Sequence, residues 1–461
     1  MGTGGITLMN VNDYFKYINM GLPEDIRRLK DAGYYDEAMR LMDIKTARPD
    51  TPEELKYCFL AWKEIFRRIP REYSLSKDDL FKQFKKKISD FTEEDFKKEE
   101  DDGLLRWIFF KGEKRYFKSS VRTVLKTDLE MAKRAGLDTS DPDDVLNEAI
   151  ATCKKEGRIS KNIRYTHSLK VRDDLFKPGM KVRVHIPIPA ECIEQTNIKI
   201  ESTFPENAVI GKANSEARCV YFEETLNENH EFSVTYSYTF TNVYKDCYNE
   251  VGGSSSGEYD PGEEFLAEEG PHIVFSPIIR TLAAKIGEGC RDKGVLAKRV
   301  YDYLTLNLKY TFTPNYILLP DIVEDGALFM RGDCGVMALL FITICRCLGV
   351  GARWQSSRTM EPTGSGQHDW AEAYLPGFGW VPVDVSYGVA AHRYGNEERR
   401  QFYFGNLDPY RMVANSKFQA DLEPAKTFFR NDPYDNQDGE IESDISGLRE
   451  DDIVERGEVI V

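Results

Sequence analysis

The sequence lacks any apolar run long enough to cross a bilayer, and Met1 to Met9 lack the charged and apolar regions of a secretory leader. It lacks net positive charge too: 62 Lys and Arg stand against 77 Asp and Glu, a formal net charge of -15. Nucleic acid and anionic membrane are therefore poor general partners, although a local basic patch remains compatible with that total. A disulfide framework is missing as well. The nine cysteines are odd in number and scattered, which fits free thiols in a reducing compartment, with the cytoplasm as the default location. What remains is an ordinary folding chain: 461 residues, 41% hydrophobic, long enough for about three domains.

The chemistry concentrates between Arg331 and Tyr387. Cys334 opens the apolar run Val336 to Leu348, which has the length of a buried helix and ends at Gly349, where a left-handed C-cap belongs. Asp333 is placed to be its N-cap. A cysteine on a first helical turn meets free N–H groups and the positive end of the helix dipole, which favour thiolate, whereas the Asp333 carboxylate opposes it. Arg353 to Ser356 reads as a short strand and Glu361 to Gly366 as a mobile surface loop. His368 to Tyr374 and Trp380 to Asp384 form a hairpin about the turn Pro376–Gly379. The simple register sets Asp384 opposite Ala371, so that a bulge or twist must carry it to His368. Asp369 alternates to the other face of the strand from His368 and is not chosen as the orienting carboxylate. A lone cysteine or histidine in such settings is more often a packing residue. The joint order Cys, His, Asp on helix, strand and strand reverses that reading. Cys345 and Cys347 lie within the helix without further ligands and read as core, and no metal or cofactor is called for.

The run R-G-D-C-G, then C-L-G-V-G-A-R-W, then H-D-W-A-E-A-Y-L-P-G-F-G-W-V-P-V-D resembles the core of the transglutaminase-like superfamily of papain-like folds, in its bacterial multidomain form. The resemblance covers about sixty residues, extends through Phe404 to Arg411 to about Leu422, and implies an α+β catalytic core over 271–425. It implies Cys334 as nucleophile, His368 as general base and acid, and Asp384 as the orienting carboxylate. Related enzymes complete the oxyanion site with a side chain upstream of the cysteine. Tyr310 and Tyr316 are candidates for that place, and Trp370 for a supporting one.

Residues 1–160 read as mainly helical, with a capped helix after Thr92 and a hairpin to Phe117 that together resemble a winged-helix element over 92–118. With this acidic chain, a packing or specificity role is the simpler reading. Arg115, Tyr116, Lys118 and Arg122 read as a solvated face beside a buried stripe. A third helix is expected from Pro52, capped by Thr51. Over 161–250 the period changes to strands, indicating a β-sandwich that resembles the immunoglobulin-like domain ahead of the core in bacterial relatives. His167 and His185 there read as structural, and His392 as a loop residue. A linker over 251–270 carries Gly252 to Gly257, and 426–461 is an acidic tail, loose or docked as one edge strand.

The chemistry expected is acyl transfer through a thioester on a peptide or protein substrate. Hydrolysis by a cysteine peptidase or amidase is preferred, because nothing resembles the calcium loops or barrels of animal cross-linking enzymes. Transfer to an amine, as in a protein-glutamine transglutaminase, is the alternative. A non-catalytic peptide-binding scaffold is a third reading.

Overall fold

The computed structural model describes residues 10–253 and 259–461. The opening Met1 to Met9 and most of the glycine–serine linker lie outside the described residues. The chain is a mixed α/β protein with a helical N-terminal region and several sheets.

Helices predominate up to Glu156, and the longest, Glu53–Glu72, buries Phe59, Trp62, Phe66 and Ile69 along one face. It starts one residue later than its sequence suggested: Pro52 is the N-cap, and the Thr51 hydroxyl donates instead to the Lys45 carbonyl at 2.6 Å. Thr92 and Asp95 form a capping box on the Glu93–Asp101 helix. The hairpin β1 (Trp107–Phe110) and β2 (Glu113–Tyr116) follows it. Tyr116 is buried, and Lys118, just before the helix Ser120–Thr127, and Arg122 within it line the cavity that also holds Cys334, so these basic residues are not simply a solvated face.

Two four-stranded sheets come next. One has the order β15 (Glu440–Ser443), β4 (Met180–Pro187), β7 (Cys219–Leu226), β6 (Val209–Ile210). The other runs β16 (Ile453–Ile460), β3 (Arg158–Val171), β8 (Phe232–Val243), β5 (Gln195–Phe204). Their inner faces share one core, with Val182, Val184 and Phe222 against Leu169, Val234 and Tyr236. The C-terminal segment supplies an edge strand to each sheet, which corrects the expectation of a loose tail or a single docked strand. Its acidic residues are held by buried cations: Glu440 accepts from Lys426 at 2.8 Å. His167 and His185 are buried here, bonded to Glu455 at 2.9 Å and to the Pro424 carbonyl at 2.8 Å.

The region expected as the core packs the apolar helix Cys334–Cys347 against a third sheet, in the order β13 (Gly379–Val383), β12 (Gly364–Leu375), β11 (Ala352–Glu361), β14 (Arg411–Asn415). Gly349 takes the left-handed conformation (φ +70°) beyond the helix. The glycine-rich stretch expected as a mobile loop is instead the tight end of a hairpin, with Glu361 paired to Gly364. Strand pairing to β14 on the other side explains why β11 runs five residues beyond Ser356. His392 lies near the end of the helix Val385–Arg393, not in a loop. Cys345 is buried within the helix core.

Candidate active site

Two short strands deliver the cysteine. The two-residue strand β9 (Lys309–Tyr310) pairs in parallel with β10 (Arg331–Gly332), and the chain passes directly into Asp333 and Cys334. Asp333 caps the helix, accepting from the Val336 N–H at 3.2 Å, and also holds the Tyr316 phenol at 2.6 Å and the Thr313 hydroxyl. Gly335 is required at this corner. A Cβ there would press on the Tyr316 ring and lie 2.8 Å from Asp369 Oδ2. Cys334 is half-buried and opens on a cavity of about 470 Å³, walled by Arg122 and Lys126 on one side and by Asp435 and Gln437 on the other.

His368 and Asp384 are in contact: imidazole Nε2 lies 2.7 Å from Asp384 Oδ2. The contact does not arise from a bulge in β12. The register sets Val383 opposite Ala371, one residue from the expected pairing, and the chain then leaves the sheet with Asp384 as N-cap of the next helix. Its Oδ1 accepts from the Tyr387 N–H at 2.9 Å and the Ser386 hydroxyl at 3.0 Å. Its Oδ2 also receives Arg411 Nη1 at 3.0 Å. The guanidinium reaches Asp408 as well, at 2.9 and 2.5 Å from Nε and Nη2. All of Arg411 is buried, and its sequence position gave it no assigned role. Against a burial that raises it, His368 and Arg411 hold Asp384 at about 2, so it is a carboxylate at neutral pH. Burial pushes His368 below its ordinary value despite that carboxylate. Because Nε2 donates to Asp384 in the neutral ring, the lone pair is on Nδ1.

The thiol is engaged elsewhere. Cys334 Sγ donates to Asp369 Oδ2 at 3.3 Å, and among the described residues no hydrogen bond joins it to His368. Asp369 leads the face of β12 that continues with Ala371 and Ala373 into the helix core. His368 leads the opposite face with Trp370. The expected alternation of the two side chains is present, but the side chain bonded to the thiol is the aspartate. Asp369 is pushed well above the usual carboxylate range by burial and then by Asp435, and Gln437 of the C-terminal segment donates to its other oxygen. Burial, then Asp369 and Asp333, drive the Cys334 thiol well above its ordinary value.

The remaining candidates separate clearly. The Trp370 N–H donates to Gln355 Oε1 at 2.8 Å, fully buried, and its ring backs that of His368 at 5.9 Å. It cannot reach an oxyanion, which corrects one of the two places considered for it. The Tyr316 hydroxyl is already donated to Asp333. Tyr310 lines the cavity with Lys126 4.4 Å from its ring centroid. Among the described residues no group of His, Cys, Asp and Glu is arranged to hold a metal ion, and no helix is long and apolar enough to cross a membrane.

Residues 280–385 match the Transglutaminase-like superfamily, so this stretch is a transglutaminase-like domain. No curated protein matches. Among solved structures, the chain is similar to a candidate cysteine protease from Cytophaga hutchinsonii (14% identity, 66% of this chain and 93% of that one, TM-score 0.41). It is also similar to the periplasmic domain of TgpA from Pseudomonas aeruginosa (15% identity, 54% and 95%, TM-score 0.28). A candidate protease from Parabacteroides distasonis follows (9% identity, 52% and 64%, TM-score 0.21).

Proposed function

We propose that the transglutaminase-like domain at 280–385 makes this chain a thiol-dependent acyl-transfer enzyme that hydrolyses peptide or amide substrates. The observation that carries the reading is a thiol on the first turn of a buried helix, open to a cavity, at the sheet end where a buried carboxylate already orients an imidazole. On this reading Cys334 is the nucleophile. Its thiol gives up the hydrogen bond to Asp369, the S–H proton passes to His368 Nδ1, and sulfur adds to the amide carbonyl. Asp384 and Arg411 hold the ring so that the imidazolium is stabilised without Asp384 taking the proton. His368 then protonates the departing amine. In the second half, water gives a proton to His368 as its oxygen adds to the thioester, and that proton returns to the leaving sulfur. The Cys334 N–H and the Tyr310 hydroxyl are the oxyanion donors, since Tyr316 is occupied. The cavity takes the substrate, and the cytoplasm is the location proposed.

The elevated thiol favours a second reading, in which the site binds peptides without turnover. Incubating the protein and Cys334→Ala with a peptide library, with a primary amine in half the samples, separates the possibilities by intact mass. Products gaining water only with the unaltered protein are expected. Amine adducts in their place mean a transferase, and identical behaviour of the two proteins rejects catalysis on those peptides in favour of binding.

A further inference from the structure

On the far side of β10 from the cysteine lies a second groove, of about 680 Å³, between the N-terminal helices and the helix Ile322–Phe329. Its walls are aromatic: Trp62 and Tyr73 are buried within it, while Trp107 and Phe329 stand 38% and 57% exposed at its mouth. Two arginines line it, and both are more than nine-tenths buried, Arg106 at 5% and Arg331 at 8% exposure.

Their hydrogen bonding is incomplete. Arg106 pairs with Asp325 through Nη1 at 2.8 Å, but its Nε and Nη2 have no partner in the protein. Among the described residues Arg331 makes no side-chain hydrogen bond or ion pair. Its Nε is buried without an acceptor, and its guanidinium lies 4.6 Å from the Phe329 ring. The indole N–H of Trp62 is also unpartnered. A buried guanidinium is strongly unfavourable without an acceptor, and here the one carboxylate in contact, Asp325, is taken by Arg106. Burial and the neighbouring Arg106 charge lower Arg331 to about 10, which reports the same conflict. Elsewhere in the lining Arg27 and Lys30 are paired with Glu24 and Asp31, while Asp321 and Glu324 have no ion pair among the described residues, so an anion must be held by Arg331 and Arg106 against those two carboxylates.

We infer that this groove is a ligand site for an oxyanion, phosphate or carboxylate, carried on a flat apolar body, with Arg331 and Arg106 binding the anion and Trp107 and Phe329 stacking on the body. Guanidinium forks match such oxygens in pairs, and aromatic faces left at a groove mouth suit a planar group. Neither catalysis nor the acyl-transfer reading enters this assignment, so its test needs no activity.

Full-length protein is titrated with phenyl phosphate, benzoate, inorganic phosphate and benzyl alcohol, following tryptophan fluorescence and the melting midpoint. Phenyl phosphate or benzoate should quench the fluorescence and raise the midpoint. The stronger of the two identifies the anion, and benzyl alcohol should do neither. Arg331→Met should melt higher than the unaltered protein without ligand, because an unpaired buried charge is gone. It should bind about tenfold or more weakly, the loss expected for one charge-assisted contact. Trp107→Ala should keep the midpoint and weaken only the aromatic ligands. If Arg331→Met does not fold, calorimetric titration of the unaltered protein and of Trp107→Ala decides. Absence of binding by any anion, or a lower midpoint with unchanged binding in Arg331→Met, overturns the site. Inorganic phosphate binding as well as phenyl phosphate overturns the flat apolar body.

Discussion

Arg411 and Arg331 are both buried arginines in the C-terminal half of the chain, yet they differ in every bond. Arg411 directs Nε, Nη1 and Nη2 at two carboxylates, Asp408 and Asp384. Arg331 makes no side-chain hydrogen bond among the described residues, and its Nε is buried without an acceptor. A fully paired buried cation fixes its partners in place, so Arg411 converts Asp384 into a rigid, ionised anchor for His368. An unpaired one keeps its charge only under repulsion and is available to something else. The same residue type thus serves as scaffold in one place and as receptor in the other, and the difference is set by the carboxylates within reach: Asp408, three residues away, and Asp384 for Arg411, and none bonded to Arg331 among the described residues.

The comparison breaks first at Arg411. Arg411→Met strands Asp384 and Asp408 as buried charges and should cost ~3–5 kcal/mol, read as a fall in the urea midpoint. Arg331→Met should move stability in the opposite direction, and equal losses at both positions would erase the contrast. A smaller effect is expected at the thiol. Asp369→Asn removes the carboxylate bonded to Cys334, so the pH profile of alkylation by iodoacetamide should shift down by about one unit. A superimposed profile would show that Asp369 does not restrain ionisation. The mildest test is pH itself. Burial, then Asp435 for Asp432 and Glu455 for Asp438, raises each to about 7, so the folded chain binds protons there that the unfolded chain releases above about 4. Their stabilising contribution is present in acid and declines as pH rises through about 7. The melting midpoint should therefore increase from pH 8 to pH 6, and the increase should shrink in Asp432→Asn with Asp438→Asn. Asp384, held at about 2, has the opposite sign: its contribution is full at neutral pH and disappears only in strong acid.

Local signals were readable and distant ones were not. The Asp333 cap, the apolar Val336–Ile344 run and Gly349 together specify a helix with Cys334 on its first turn, and each lies within a few residues of the next. The Pro376–Gly379 turn likewise specifies the hairpin. Period-two alternation separates His368 from Asp369, but it does not say which one meets the helix, because that depends on how the whole sheet lies on it. The register missed by one residue because Asp384 leaves the strand to cap a helix. Arg411 carries no local pattern that marks it as a partner of Asp384. The C-terminal segment looked loose because it is acidic and poor in apolar residues until its last few positions. Lys426, Arg430 and the open edges of β3 and β4 reverse that balance only after folding.

Strand β16 joins β3 across about 280 residues of chain, from Val171 to Ile453. On a ribosome adding roughly 5–20 residues per second, the edge of β3 therefore emerges roughly 15–60 s before its covering strand exists. During that interval it offers a row of unpaired N–H and C=O groups to any extended segment nearby. A late strand closes a sheet begun much earlier, so release of a nascent chain before Ile453 would leave a sticky edge on an otherwise assembled molecule.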